Sequence, residues 1–377
     1  MTIARPAALA LALAACGPEP PRADLLLTGT DYAPRVIPDR PVARYELRHL
    51  RSWGSDSGPE AIGQIAAVGA TSRGLLAVAD MTDCRILLFD LRTGGKEPVG
   101  QVGRCGDGPG ELRFLRAVDF VGDTLVAHHA LQPLVQFLTL DGAEVGRRPI
   151  AGLLSGTESV QSLEPVAGGQ YALAIALPSR ASGEGGLGEN PVSIRLLDLP
   201  TGRTLAEALG PAPVSQANPG NLTEGPELCV GTLPDGSRRL AAMNRWAIEG
   251  VILSPDSLRQ MAHTVLEGDY GTAPFPPPMH GYLPDGLGSA VVCTALGPLY
   301  WRLEGSSVDR KPVISGGRVL LTDWDGSPLL NLHFGPSDSV LFNRPMAAVG
   351  DRVFAASNVL FDYPMVHEFR LVEAGGR

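Results

Sequence analysis

Between Leu115 and Leu140 the apolar residues fall into three short runs, Leu115–Val121, Thr124–His128 and Leu134–Leu140. Gly122-Asp123 and Gln132-Pro133 separate the runs, and Asp141-Gly142 closes the unit. A glycine-rich stretch, Gly103-Arg104-Cys105-Gly106-Asp107-Gly108-Pro109-Gly110-Glu111, precedes them. β-Rich runs of this length, punctuated by Gly, Asp and Pro, predict a meander of antiparallel strands. Val42–Leu50 also alternates apolar and polar side chains and reads as a strand standing alone.

The pattern repeats. Gly58-Pro59-Glu60 and Gly225-Pro226-Glu227 echo Gly108-Pro109-Gly110-Glu111, and Leu88-Phe89-Asp90-Leu91-Arg92-Thr93-Gly94 matches Leu196-Leu197-Asp198-Leu199-Pro200-Thr201-Gly202. A period of about 50 residues with four strands in each is that of propeller blades. The blades fall at about 61–102, 114–150, 157–214, 227–268, 287–335 and 339–374. Ser179–Asn190 and Gly271–His280 read as loops between or within them. The last blade is one strand short, and Val42–Leu50 supplies the missing strand, closing the ring and hiding its edges. The expected fold is therefore all-β: a six-bladed β-propeller of four-stranded antiparallel blades over residues 42–374, closed by an N-terminal strand.

Composition agrees with many tight turns, since 46 glycines and 33 prolines accompany only 6% aromatic residues. The net charge of −9 argues against a broad phosphate-binding surface and so against nucleic acid as a partner. Residues 1–15 have the form of a signal peptide, with Arg5 ahead of the apolar run Ala7–Ala15. Leu13-Ala14-Ala15-Cys16-Gly17 looks like a bacterial lipobox, which makes Cys16 the expected lipidated N-terminus and 16–41 a proline-rich tether without regular structure. The expected address is the cell envelope, lipid-anchored. Gly17 rather than Asp after the cysteine permits export to the outer membrane under the aspartate retention rule of bacterial lipoproteins.

The loop GRCGDGPGEL, followed by apolar strands and an Asp-Gly turn, resembles the six-bladed β-propeller lipoproteins of bacteria, relatives of the NHL-repeat group. The resemblance covers residues 42–374 and is strongest over the first two blades. It implies an architecture and little chemistry, because that fold hosts many functions.

Four cysteines remain beyond Cys16, and no CxxC supports a thiolate zinc site. Cys84 lies in a second-to-third-strand turn and Cys105 in the loop leading into the next blade. Both emerge on one face of an up-and-down ring, which favours Cys84–Cys105. Cys229–Cys293 then follows by elimination, and four reduced thiols are the alternative. The same face collects Asp80, Arg85, Arg104, Asp107, Glu111 and His128 as a candidate binding rim. The plainer reading is that these residues satisfy turn backbones and one another. The glycine loop lacks the Gly-Lys-Ser/Thr ending of a P-loop, and its glycines, Pro109 and Glu111 read as a corner between blades. The seven histidines show no ligand spacing, and no nucleophile elbow, HExxH or calcium loop is present, so no metal or cofactor is expected. The leading functional expectation is a monomeric binding module for an envelope protein or glycan. The alternative is a metal-dependent, lactonase-like hydrolase or lyase with its site in the central channel.

Overall fold

The protein was analysed as a computed structural model, which describes residues 22–24, 35–129, 134–154, 158–167, 169–176, 190–212, 227–243, 249–266, 289–308, 311–335, 344–357 and 363–375. Cys16, the insertion 179–189 and the stretch 271–280 lie outside them.

Six antiparallel sheets form the blades of a β-propeller. Blade one holds Ile65–Thr71, Leu75–Asp80, Arg85–Asp90 and Gly100–Val102. Blade two holds Leu115–Val121, Thr124–His129, Leu134–Leu138 and Glu144–Pro149. Blades three to six follow within 159–212, 227–266, 289–334 and 344–373.

The buried side chains explain why the strands read as apolar runs. Every second strand is covered on both faces, so both of its alternating rows must be apolar. In blade one, Leu76 and Val78 pack toward blade six, while Ala77 and Ala79 pack toward blade two. In blade three, Leu173 and Ile175 meet blade two, while Ala172 and Ala174 meet blade four. Among the described residues the core divides into six clusters, one for each junction between neighbouring blades.

Ring closure differs in detail from the expectation. Val42–Leu50 is not one strand. Val42–Ala43 pairs with the outer strand of blade five, through Val42↔Asn331 and Ala43↔Leu330. Tyr45–Trp53 then pairs with Met365–Glu373 and completes blade six. The segment ahead of it, expected to lack regular structure, carries two more strands. Arg22–Asp24 runs parallel to the outer strand of blade three, from Arg22↔Glu207 to Asp24↔Leu209. Arg35–Ile37 runs parallel to the outer strand of blade four, from Arg35↔Thr264 to Ile37↔Leu266. The N-terminal segment is thus a strap that adds a fifth strand to blades three, four and five. Ile37 is buried between blades four and five, and Asp39 accepts hydrogen bonds from His333 Nε2 (2.8 Å) and Arg318 Nη2 (3.2 Å).

The strand order gives the ring two unlike faces. One, here the collar face, carries the connections between blades and the turns from second to third strands. The opposite face carries the turns from first to second and from third to fourth strands.

Candidate functional site

The loops leading into blades one and two are built alike. Trp53 and Val102 are each followed by a glycine at positive φ, Gly54 (+115°) and Gly103 (+87°). A Cβ on Gly54 would lie 2.5 Å from the carbonyl oxygen of Pro364, and one on Gly103 would collide with Leu112. Each loop then closes on itself through a parallel bridge, Ser55↔Ala61 in one and Cys105↔Leu112 in the other. In the second loop Cys105 is bonded to Cys84, which fastens the loop to the turn of blade one; Cys229 is bonded to Cys293. The second bridge joins the innermost strands of blades four and five.

Asp80 ends the second strand of blade one, fully buried. Its carboxylate accepts from the backbone N–H of Gly63 (3.2 Å), Gln64 (3.1 Å) and Thr82 (3.1 Å) and from Arg85 Nε (3.4 Å). Arg85 also donates through Nη2 to the Ala61 carbonyl (2.7 Å) and pairs with Asp83. These two residues therefore lock the turn of blade one to the loop before it. Glu111 accepts from the Gly108 N–H at 2.8 Å, and that bond, with Arg104 beside it, holds its carboxyl below the usual range. Arg104 Nε donates to Glu111 at 3.1 Å, yet 79% of its side chain is exposed. Asp107 accepts from Arg113 Nη1 at 3.0 Å. His128 is buried beneath this surface with Nδ1 unpaired; burial, then the charge of Arg116, pushes it down to about 4.

Two residues of the collar carry no motif and were missed in the sequence. Phe114, between Arg113 and the inner strand of blade two, is 41% exposed and sits at φ +51°. The Arg113 guanidinium lies over its ring, 5.2 Å from the centroid. A non-glycine side chain held in the left-handed region stores roughly 1–3 kcal/mol of strain and is a recurring mark of recognition surfaces.

The inner strands surround a central channel with a cavity of about 660 Å³. Its polar lining includes Arg116, Asp119, Glu164 and Glu227. Asp119 and Glu164 occupy similar places, each directly after a buried residue of its inner strand, Val118 or Leu163. Burial pushes Asp119 up to about 6, against the Phe120 N–H that donates to it at 2.7 Å. Burial raises Glu164 well above its ordinary range, and the charges of Asp119 and Glu227 add to that rise. Among the described residues no three side chains of metal-ligating type gather at one point.

These carboxyls oppose folding when ionised. Asp119 titrates near 3.8 in the unfolded chain and near 6 in the ring, so its cost is full above pH 6 and vanishes below about pH 4. Asp119→Asn is expected to stabilise the protein by about 3 kcal/mol at pH 8, and the gain should fade between pH 6 and 4. Thermal melts of both proteins across that range check it; a gain independent of pH would remove the charge explanation.

No family model matches the sequence, and no curated protein matches it. The fold itself has solved counterparts. A member of the DUF4221 family from Bacteroides vulgatus superposes with a TM-score of 0.53 at 10% identity, covering 88% of this chain and 99% of its own. A protein of Bacteroides fragilis thought to be exported superposes with a TM-score of 0.50 at 11% identity, covering 93% and 99%. At such identities the likeness shows the six-bladed propeller fold alone.

Proposed function

We propose that the protein is an exported, lipid-anchored binding module that acts as a monomer and holds an envelope protein against its collar. One observation carries this reading: the loop 103–114 is fixed by a disulfide and by internal hydrogen bonds, while Arg104, Arg113 and Phe114 project outward. A preorganised loop loses little freedom on binding, and exposed arginine and aromatic side chains are the commonest anchors of protein interfaces. In this reading Asp80 and Arg85 hold the turn that carries Cys84, through which the disulfide fastens the loop, and Arg104, Asp107 and Phe114 meet the partner.

Phe114→Gly separates the two roles of that residue. It removes the strain at positive φ and is expected to leave stability unchanged or raised by about 1 kcal/mol, while envelope partners recovered by affinity capture fall at least several-fold. The comparison is Arg92→Ala on the opposite face. Equal recovery from the two variants and the parent would remove the collar from the proposal; recovery of polysaccharide rather than protein would redirect it to a glycan.

The signal-like N-terminus and the two disulfides support export. Cys16→Ser is expected to move the protein from the membrane to the soluble fraction, because stable anchoring needs the acyl chains. Membrane association unchanged in that variant would overturn the anchor. A channel enzyme is the second reading, favoured by one observation, the raised carboxyls of Asp119 and Glu164 around the cavity.

A further inference from the structure

The opposite face holds a second cavity, of about 900 Å³, between blades three and four. It is formed by the first-to-second-strand turns of both blades and the third-to-fourth-strand turn of blade four. Arg238, Arg239 and Arg259 line it against one carboxylate, Asp256, which already accepts from Ser254 Oγ at 3.1 Å. Asp235, in the same turn as the first two arginines, accepts from Ser237 Oγ at 2.6 Å. Among the described residues Arg238 and Arg259 make no ion pair, although the chain as a whole is acidic.

Gln260, in the wall of the same cleft, is more than nine-tenths buried, and neither polar atom of its amide has a hydrogen-bond partner. A buried amide left in this state is unfavourable, and it sits in the wall behind the arginines. The charge of Arg239 acts on Asp235, which leaves Arg238 and Arg259 without an ion pair among the described residues; with Met261 exposed at the rim, they fit a phosphate-bearing group attached to a less polar body.

The strap bears on where such a group comes from. Arg22–Asp24 and Arg35–Ile37 lie on the outer edges of the two blades that form the cleft. Both run parallel to outer strands that lead from the opposite face toward the collar face, so Arg22 and Arg35 stand at the ends of these strands nearer the face with the cleft. Cys16 is within about 20 Å of Arg22 at full extension.

We propose that this cleft is a phosphate site and that, in the anchored protein, it takes the headgroup of an anionic phospholipid, setting the collar away from the bilayer. The headgroup as source rests on the anchor reading above; the phosphate site does not.

The test uses the full chain carrying Cys16→Ser, so that no acyl chain contributes. It should sediment with mixed phosphatidylcholine–phosphatidylglycerol vesicles and not with phosphatidylcholine alone. Arg238→Gln with Arg259→Gln should weaken that binding about 30-fold, since each cation near an anionic surface contributes about a factor of five. Arg92→Gln, on the same face at blade one, should change it little. In a separate arm inorganic phosphate should raise the melting temperature of the parent and not of the double variant. Should the double variant melt early, Arg259→Gln alone, at an exposed position, is expected to lose about fivefold. A phosphate effect without vesicle binding would keep the site and assign it to a soluble phosphate compound. No response to either probe, or binding equal in parent and variants, would overturn the proposal. Membrane release of Cys16→Ser in cells, measured separately, reports on the anchor alone.

Discussion

Deleting residues 45–53 is expected to leave a chain that no longer unfolds in a single cooperative transition. This strand is the whole of the closure, pairing from Val366↔Trp53 to Glu373↔Tyr45. Its last residue, Trp53, is buried at the junction of blades six and one, with ring centroids of Phe89 and Phe354 each 6.2 Å away. Its indole N–H donates to the Gly95 carbonyl at 3.1 Å. Losing that side chain alone costs roughly 3–5 kcal/mol. The deletion also removes Arg51, whose Nε lies 2.6 Å from the buried Glu368, leaving that carboxylate to Arg352 alone at 2.5 Å. Glu368 keeps Arg352, so this loss is that of one charge-assisted hydrogen bond, about 1.5–3 kcal/mol. Set against a typical domain stability of about 5–15 kcal/mol, the two losses together reach the lower part of that range. Broad or absent thermal transitions, with soluble aggregates from the newly exposed edge of Met365–Glu373, are the expected readout. Trp53→Ala is the milder form and should melt cooperatively at a lower temperature. A deletion variant that melts like the parent would show that the ring does not depend on its closure.

The second large effect is expected at Cys229–Cys293. The bridge spans 64 residues of sequence, against 21 for Cys84–Cys105. By the loop-closure estimate it stabilises the fold by about 4 kcal/mol and the shorter bridge by about 3 kcal/mol. The loop it closes contains all of blade four, so its loss frees that whole blade in the unfolded chain. Cys229→Ala with Cys293→Ala should therefore lower the melting temperature more than Cys84→Ala with Cys105→Ala. A reductant should lower the parent toward the variants. The reverse order would mean that the collar loop, rather than chain entropy, dominates.

The blades were legible in the sequence because burial on both faces forces continuous apolar runs such as Leu75–Ala79, and because the turns need Gly, Asp and Pro. The strap was not legible. Edge pairing uses backbone atoms, so Arg22–Asp24 and Arg35–Ile37 carry no alternating pattern, and a single apolar residue such as Ile37, buried in the core, does not reveal a strand. Val42–Leu50 looked continuous because pairing to one blade or to the next leaves the same alternation in the sequence. The collar announced itself through its glycines and cysteines, although the sequence did not show that Asp80 and His128 lie under the surface. Asp119 and Glu164 become visible only when inner strands are aligned on Val118 and Leu163. The basic cleft was hidden by the net charge, since three arginines on two turns do not alter a sum of −9.

The closure also orders events in time. Tyr45–Trp53 is made long before its partner Met365–Glu373. Until that partner emerges the earlier strand has no place to go, and the ring cannot shut around it. Contacts this distant along the chain form slowly. Any product terminated before residue 365 lacks the strand that would receive Trp53, so it presents open sheet edges to proteases and chaperones instead of a finished ring.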